Sequence, residues 1–341
     1  MKLAIHNSPA GFHPQWVAYC TNNNIDYKIV DCYANDILNQ LFDCNGLMWH
    51  FSQSRAKDII VAKQILFALE HSGFRIFPDF KTAWHFDDKV GQKYLLEAIN
   101  APMVPSFVFF DKVQALNWTE TTRFPKVFKL RGGAGSANVK LATNRKEAEQ
   151  LIKRAFGKGF SQYEAWSNLK ERVRKYKQGK TSLKDVFKGV VRLGYQPDFS
   201  KIIGKERGYA YFQDFIPNND SDTRIILIDG KAFALKRMVR KGDFRASGSG
   251  ECYYAKEEFD ERCVKIAFEM NKKIKSQCIA YDFVFDQSNT PLIVEISYGF
   301  IPSVYRDCPG YWDEQLNWYG GEFWPEDWMV EAFLNRLKFS S

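Results

Sequence analysis

The sequence predicts a mixed α/β protein, and three observations support that class. Short strand-like and helix-like stretches alternate over the first hundred of the 341 residues. From Phe124 onward, strand-like stretches come in pairs joined by short turns. A stretch of helical character, residues 153–192, interrupts these pairs. The alternation is typical of a small parallel sheet with helices on both faces, whereas the pairs predict antiparallel hairpins.

The N-terminal alternation predicts a βαβ domain. A helix is expected over residues 54–72, where apolar side chains recur at helical spacing, and strands over residues 3–7, 27–32 and 46–50. Pro9, Gly11 and Pro14 break the chain soon after the start, which favours a first strand and a loop over a signal peptide. Parallel sheets bind ligands at the carboxyl ends of their strands, so residues 7–12 and 50–54 are candidate ligand loops.

The composition indicates a folded protein without an apolar segment long enough to span a membrane. Hydrophobic residues make up 45% of the chain, but no apolar run approaches the roughly 20 residues of a membrane helix. The seven cysteines are odd in number and none has CxxC spacing. They are therefore expected to be reduced, mostly buried thiols of a cytoplasmic protein.

Most of the net charge of +8 lies in one segment. Residues 153–192 hold twelve Lys and Arg against three acidic residues, which gives +9, so the rest of the chain is close to neutral. This segment is a solvated helical face, a surface for an anionic polymer or membrane, or a set of cations facing a nucleotide. Without a known nucleic-acid motif or interleaved aromatic residues, the charge does not favour DNA or RNA as the partner.

The last predicted hairpin carries two facing carboxylates. If residues 287–290 form a four-residue loop, Asp286 pairs with Pro291 and Asp282 falls directly opposite Glu295. Like charges about 5 Å apart destabilise a sheet unless something positive lies between them. The pair suits Mg²⁺, with water and phosphate oxygens as the other ligands, and the alternative is an accidental pair with one carboxylate neutralised by a lysine.

Two further turns are candidate phosphate-binding elements. The glycine-rich turn of residues 131–136 lies between two predicted strands, where its backbone N–H groups can approach phosphate. Lys126 and Lys129 precede it on opposite faces of one strand, so that one can face a nucleotide while the other faces water. At the Asp229-Gly230 turn, a two-residue loop places Asp222 opposite Arg237, either as a structural ion pair or as an arginine held ready to clamp phosphate.

Taken in this order, these motifs resemble the ATP-grasp superfamily, most closely its ribosomal-protein glutamate ligase-like carboxylate–amine ligases. The resemblance covers roughly residues 85–300 and implies an ATP-grasp fold with an N-terminal βαβ pre-ATP-grasp domain. It implies nucleotide-binding roles for Lys89, Lys129, Gly132, Gly133, Gly135, Ser136, Gln213, Asp214, Phe215, Ile216 and Asp222. It implies catalytic roles for Arg237 and Arg245, and metal-binding roles for Asp282, Glu295 and Ser297.

The resemblance also implies three domains. They are the βαβ domain of residues 1–85, a lid subdomain of residues 86–210 with a basic helical insertion at about 153–205, and a metal and nucleotide subdomain of residues 211–341. The last of these ends in an aromatic tail that is expected to wrap the surface and finish in a helix. The family's metal motif runs Glu-x-Asn, and here Ser297 replaces the asparagine. One Mg²⁺ is therefore expected, and the position of a second is in question.

The function that the resemblance implies is amide formation by an ATP-dependent carboxylate–amine ligase. ATP would convert a carboxylate to an acyl phosphate, ADP would leave, and an amine would attack. The substrates are expected to be small molecules or polymer precursors, and the basic segment favours an acidic sugar or a cell-envelope or capsule precursor. An ATP-grasp phosphotransferase and an ATP-binding module with weakened catalysis remain alternatives. The oligomeric state is left open.

Overall fold

The computed structural model describes residues 1–8, 10–132, 139–161, 169, 172–173, 176, 181–191, 198–239 and 251–338. The chain divides into two compact units. The first unit comprises Met1–Ser52, Lys57–Val104 and Ile216–Ser341, and the second comprises Gln53–Ala56 and Pro105–Phe215. The division into three domains that the sequence suggested stays a prediction.

The first unit begins with a four-stranded parallel sheet, as the βαβ alternation predicted. Its strands, in the order β2-β1-β3-β4, are β1 (Lys2–His6), β2 (Asp26–Val30), β3 (Gly46–Met48) and β4 (Arg75–Phe77). The helices of this part are α1 (His13–Asn22), α2 (Ile37–Gln40), α3 (Ala56–His71), α4 (Phe80–Ala83) and α5 (Lys89–Ala98). Asp88 caps α5, since its Oδ1 accepts a hydrogen bond of 2.9 Å from the Gly91 N–H.

The second unit contains a four-stranded sheet in the order β5-β10-β6-β7 and a small two-stranded ribbon of β8 and β9. Its strands are β5 (Ser106–Phe109), β6 (Lys126–Lys129), β7 (Lys140–Ala142), β8 (Phe160–Ser161), β9 (Lys205–Glu206) and β10 (Ala210–Asp214). The helices whose bounds fall within its described residues are α6 (Lys112–Thr121), α7 (Arg145–Ala155), α8 (Leu183–Val191) and α9 (Asp198–Ile203). The aromatic rings of Phe128, Phe160 and Phe212 fill its core. The predicted strands on either side of the glycine-rich turn are confirmed as the antiparallel pair β6 and β7.

The C-terminal part of the first unit is a seven-stranded sheet in the order β15-β14-β11-β12-β16-β17, with β13 also paired to β12. Its strands are β11 (Ser221–Ile228), β12 (Lys231–Met238), β13 (Cys252–Tyr253), β14 (Cys278–Phe285), β15 (Pro291–Ser297), β16 (Gly310–Trp312) and β17 (Trp318–Gly320). Two helices complete it, α10 (Glu261–Ile274) and α11 (Pro325–Lys338). Short 3₁₀ turns lie at Lys256–Glu258 and Pro302–Tyr305.

Two apolar cores hold the first unit together. One joins the parallel sheet to the antiparallel sheet and includes Trp16, Phe77, Phe233 and Trp328. The other joins α10 to the antiparallel sheet through residues such as Phe283. Since Trp312 and Trp328 are 0% and 8% exposed, the expectation that the aromatic tail wraps the surface is wrong for these two rings, although the tail does end in a helix.

The two C-terminal hairpins test the predicted registers. At the first, Asp229 and Gly230 both have positive φ, as a two-residue primed turn requires, and Asp222 pairs with Arg237 as predicted. At the second, Asp282 does face Glu295, but Phe285 rather than Asp286 pairs with Pro291, so the four-residue loop is wrong. The Asp286 N–H instead donates to the Thr290 carbonyl at 3.1 Å, and the loop holds five residues.

A β-bulge at Val294 reconciles the longer loop with the facing carboxylates. The register shifts by one residue between Asp282 and Phe283, so Ile293 pairs with Phe283 while Glu295 pairs with Asp282. Ile293 thus enters the apolar core beside α10, and Glu295 points to the opposite face of the sheet. The three-residue spacing of the buried Ile293 and Ile296 is the sequence sign of this bulge.

All seven cysteines are free thiols, and six of them are buried, as expected. None of the helices within the described ranges is long and apolar enough to cross a bilayer.

We expect the buried His85 to make stability depend on pH. Its imidazole is 0% exposed, and burial, with Lys63 nearby, lowers its pKa from 6.5 to about 4. The folded state therefore favours the neutral ring, and this contribution is complete above pH 6.5 and lost as the pH falls toward 4. The shift corresponds to about 3 kcal/mol.

The measurement is urea unfolding of the native protein and of His85→Leu between these two pH values. The native free energy of unfolding should fall with acid more steeply than that of His85→Leu. His71→Leu, which alters an exposed histidine at the end of α3, should follow the native slope. Parallel curves for all three proteins would contradict the assignment.

Candidate functional site

One face of the antiparallel sheet in the first unit gathers charged side chains from four neighbouring strands. The register places Asp222 opposite Arg237, Arg224 opposite Asp282, and Asp282 opposite Glu295. Side chains of paired residues lie on the same face of a sheet, so all five project together. The Asp222, Arg237, Arg224 and Asp282 side chains are each 14–16% exposed. We call these five residues and Lys89 the ionic face.

Arg237 lies between two carboxylates of the ionic face. Its Nε and Nη2 atoms donate to the two carboxylate oxygens of Asp222 at 2.7 and 2.6 Å, and Nη2 lies 2.9 Å from Oδ2 of Asp282. This fork-to-fork geometry fixes the guanidinium plane. Burial alone would lower the pKa of Arg237, but Asp282 and Asp222 raise that pKa well above its ordinary value, so the guanidinium stays charged.

Asp282 has a second cationic neighbour in Arg224. Nη1 of Arg224 lies 3.5 Å from Oδ1 of Asp282, while Nη2 donates to the Gly299 carbonyl at 3.3 Å. Burial raises the pKa of Asp222, and its bonds to Arg237 act in the opposite direction. The phenol of Tyr305 lies within electrostatic range of both arginines, and burial raises its pKa, so it stays protonated.

Lys89 reaches Glu295 from the first turn of α5. Its Nζ lies 3.2 Å from Oε1 of Glu295, and the lysine side chain is 7% exposed. The resemblance implied a nucleotide-binding role for this lysine, and the structure places it beside the predicted metal carboxylate. The ionic face thus holds three cations and three carboxylates and is electrically neutral, a balance that allows the charges to be buried together.

The donor set at Asp282 and Glu295 suits Mg²⁺. This ion is commonly held by one or two carboxylates, with the other positions filled by water and phosphate oxygens. Within the described part of the chain, no cluster of three or more His, Cys, Asp and Glu side chains could hold a metal alone, so further ligands would have to come from elsewhere. Bound phosphate would also offer Arg237 and Lys89 new anionic partners.

Ser297 lies two residues beyond Glu295 on the same face, and its hydroxyl is hydrogen-bonded within the loop that follows. Its hydroxyl donates to the Gly299 carbonyl at 3.1 Å and accepts from the Gly299 N–H at 3.2 Å. A metal would have to compete with both bonds for this oxygen. The hydroxyl for which the resemblance implied a metal-binding role is thus engaged in a tight turn with Gly299.

In the second unit, the predicted nucleotide lysine Lys129 is buried, and its Nζ donates to Oε1 of Gln213 at 2.6 Å. The Gln213 amide nitrogen donates to the Ser106 hydroxyl at 3.1 Å, so these residues form a polar row on one face of the sheet. Lys126 is on the other face, as predicted, but it does not face water. It is 6% exposed, pairs with Asp214, and lies over the Phe107 ring at 4.8 Å.

The start of the glycine-rich turn is held by two residues that the sequence did not single out. The carboxylate of Glu206 accepts from the N–H groups of Arg131 at 3.0 Å and Gly132 at 3.3 Å. The Tyr209 hydroxyl hydrogen-bonds to Glu206 and lies 2.6 Å from the Arg131 nitrogen. No sequence motif marks Glu206, because its partners are backbone groups 75 and 74 residues away.

The remaining predicted site residues differ in how far the structure describes them. Asp214 ends β10, and Phe215 and Ile216 follow it, at the boundary between the two units. Four predicted residues lie outside the described ranges, namely Gly133, Gly135, Ser136 and Arg245.

A cleft of about 400 Å³ lies elsewhere in the first unit, lined by Gly11, Pro14, Gln15, Ile301, Pro302, Ser303, Arg306, Trp324 and Glu326. Arg306 stacks on the Trp324 ring at 3.6 Å and pairs with the buried carboxylate of Glu326 at 2.7 Å. The cleft is connected to the ionic face by one segment, residues 299–306. Gly299 accepts from Arg224 at its start, and Tyr305 lies near both arginines at its end.

His50 lies in the candidate ligand loop after β3, and its side chain hydrogen-bonds to the backbone. Its Nδ1 accepts a hydrogen bond of 3.0 Å from the Phe12 N–H, and its ring stacks on Phe12 at 3.7 Å. Gly11 has a φ of +78° and lies so close that a Cβ there would come within 2.1 Å of the imidazole. Only glycine fits this position.

Residues 188–284 match the family model of the prokaryotic glutathione synthetase ATP-grasp domain. No curated protein matches the sequence. Solved structures do resemble it, among them D-cycloserine synthetase, at 15% identity and a TM-score of 0.57 over 99% of this chain and 100% of the other. The ATP complex of D-alanine–D-alanine ligase from Bacillus anthracis has 12% identity and a TM-score of 0.57 over 100% and 99% of the two chains.

A RimK domain ATP-grasp protein from Sphaerobacter thermophilus has 11% identity and a TM-score of 0.54, over 98% of this chain and all of that one. These likenesses span essentially the whole of each chain. The protein therefore has the ATP-grasp fold, and the predicted α/β class and resemblance to the ATP-grasp superfamily are confirmed.

We expect Asp222→Asn to destabilise the protein, because it removes the carboxylate charge that faces Arg237 in a mostly buried setting. The free energy of unfolding should fall by about 2–3 kcal/mol, as when one partner of a buried pair is lost. Urea denaturation monitored by tryptophan fluorescence measures the change. The matched control is Lys236→Ala, which removes the neighbouring ion pair with Glu258 on the opposite face.

The Lys236 side chain is 26% exposed and that of Glu258 39%, so the control should cost no more than about 1 kcal/mol. Equal losses for the two variants would show that the Asp222–Arg237 pair contributes no more than an ordinary surface pair.

Proposed function

We propose that the protein is an ATP-dependent carboxylate–amine ligase that releases ADP and forms an amide through an acyl phosphate. The observation that carries this proposal is the ionic face, on which Asp282 and Glu295 face each other beside Arg237 and Lys89. The ATP-grasp fold supports it, and D-alanine–D-alanine ligase, which has this fold, is a carboxylate–amine ligase by its name.

In the proposed reaction, a substrate carboxylate oxygen attacks the γ-phosphorus of ATP, the bond to the β-phosphate oxygen breaks, and ADP leaves. The amine then attacks the acyl carbon, its proton is lost, and phosphate leaves. Asp282 and Glu295 would hold Mg²⁺, which neutralises phosphate charge when bound. Arg237, fixed by Asp222, would bind the transferred phosphoryl oxygens, and Lys89 would move from Glu295 to phosphate.

The other residues that the resemblance singled out have proposed roles as well. Lys129 would donate to a phosphate oxygen, and Gln213 orients its ammonium group. Gly132 begins the turn that would cover the phosphates, together with Gly133, Gly135 and Ser136. The backbone of residues 213–216 would recognise the adenine base, and Arg245 would contact the acyl phosphate.

For the substrates, we propose that the cleft beside residues 299–306 binds one of the two. Its apolar rim and its internally neutralised Arg306–Glu326 pair suit a ligand with an apolar or sugar-like body. An acidic sugar or a cell-envelope or capsule precursor is the proposed carboxylate, on the strength of the basic segment. The reduced cysteines support a cytoplasmic site of action.

An ATP-binding module with weakened catalysis is the second candidate, and one observation favours it. The Ser297 hydroxyl is engaged with Gly299, so a second ion would have a weaker ligand than an asparagine would provide. Nucleotide binding without ADP release, over a panel of carboxylates and amines, would select this candidate. ADP release that needs both substrates would select the ligase, and phosphate left on a product would indicate a phosphotransferase.

We expect Asp282→Asn and Glu295→Gln each to lower ADP release by at least about 100-fold, because each removes a charged metal ligand. Thermal unfolding should show a folded protein in both cases, and the Mg²⁺ concentration for half-maximal activity should rise. Glu314→Gln, at an exposed ion pair with Lys272, is the matched control and should keep native activity. Near-native turnover in either site variant would remove the metal assignment.

We expect Trp324→Ala to raise the KM of one organic substrate about tenfold while the KM for ATP stays unchanged, because the ring forms part of the cleft wall. Tyr319→Ala, a similarly exposed aromatic residue of the same tail, should change neither constant. Steady-state ADP release with one substrate varied at a time gives these values. A change in the ATP constant alone would place the nucleotide, not the acceptor, in the cleft.

A further inference from the structure

Helix α8 in the basic segment exposes a stripe of apolar side chains. Leu183 and Phe187 are 64% and 69% exposed, and Val190 and Val191 are 47% and 57% exposed. Their spacing of four, seven and eight residues from Leu183 places them along one side of a helix. Side chains of this size are ordinarily buried, so four of them on nine residues form a distinct surface, which we call the α8 stripe.

The opposite side of α8 is packed, and this fixes the direction of the stripe. Gly189 lies so close to its neighbours that a Cβ there would come within 2.8 Å of the Arg172 side chain and 3.0 Å of the Leu169 side chain. Nη1 of Arg172 also donates to the Asp185 carbonyl at 3.0 Å. The stripe therefore points outward because the small residue of the helix points inward.

The helix that carries the stripe has two exposed lysines and belongs to a segment that is basic in sequence. Lys184 and Lys188 are exposed on the same helix. The one acidic residue of α8, Asp185, accepts from the Thr181 and Ser182 hydroxyls, and its Oδ1 lies 3.7 Å from Nζ of Lys188. Over residues 153–192 the sequence carries a net charge of +9. Such a charge opposes association with a second copy of the same segment and favours an anionic partner.

We propose that the α8 stripe docks the protein on the surface of an anionic lipid bilayer. A nine-residue helix is only about 13 Å long, and its four side chains are a small part of the roughly 800 Å² that a stable protein interface buries on each side. A bilayer surface accepts so small an insertion, because phospholipid headgroups attract Lys184, Lys188 and the other cations of the basic segment, while Phe187 and its neighbours enter the acyl boundary.

Vesicle co-sedimentation of the full chain tests this proposal independently of any catalytic activity. The vesicles are phosphatidylcholine alone or an equimolar mixture with phosphatidylglycerol. The protein should sediment with the anionic vesicles at low salt, and at least about tenfold less with the neutral vesicles or at high salt, where headgroup charge is screened. Equal binding to both vesicle types, or binding to neither, would overturn the proposal.

The double variant Leu183→Ser/Phe187→Ser should lose at least about tenfold in affinity for the anionic vesicles. Phe42→Ser is the matched control, since Phe42 is 93% exposed in the first unit and should not affect binding. Lys184→Glu/Lys188→Glu should weaken binding mainly at low salt. Thermal unfolding confirms that each variant is folded. Native binding by the double variant would overturn the proposal, as would a stripe-dependent dimer or RNA complex in place of vesicle binding.

Discussion

The contact on which the site depends is the one between Asp282 and the guanidinium of Arg237. Asp282 faces Glu295 on one side, and its cationic neighbours come from the other side, where Arg237 and Arg224 lie on the next strands. Two facing carboxylates on a partly buried sheet repel each other unless cations lie nearby. Arg237 provides that charge, and because Asp222 holds it by two further bonds, it provides the charge at a fixed position.

If the ionic face binds Mg²⁺ as proposed, the same arrangement would favour phosphate as a further ligand. Each carboxylate is already matched by a cation in the protein, so a divalent ion that bound alone would leave an excess of two positive charges on the face. Phosphate oxygens would offset that excess and give Lys89 and Arg237 new partners. Metal and nucleotide are thus expected to bind together more tightly than either does alone, as linked equilibria require.

Much of this fold could be predicted from the sequence, because the register of a hairpin follows from a short turn and from the alternation of apolar and polar residues. The Asp229-Gly230 turn predicted the Asp222–Arg237 pair, which is confirmed. The nucleotide-binding roles that the resemblance implied for Lys89 and Lys129 stay predictions, and the structure buries the two lysines beside Glu295 and Gln213. The contacts of Glu206 and Tyr305 could not be predicted. Glu206 binds a backbone N–H far away in sequence, and the position of Tyr305 near the arginines depends on packing. Lys126 was misjudged for a related reason, because alternation gives the face of a strand but not what covers that face.

Because of the bulge at Val294, the length of the loop 286–290 does not by itself determine which residue faces Asp282. Because one extra residue is absorbed between the turn and Glu295, the two carboxylates keep their alignment although the turn is longer than a simple hairpin would allow. We therefore expect that a residue inserted in loop 286–290 can be taken up by a change in the bulge of β15, without loss of the Asp282–Glu295 pairing. The length of the loop at the outer end of the hairpin can therefore vary, while the pairing of Asp282 with Glu295 at the inner end is kept.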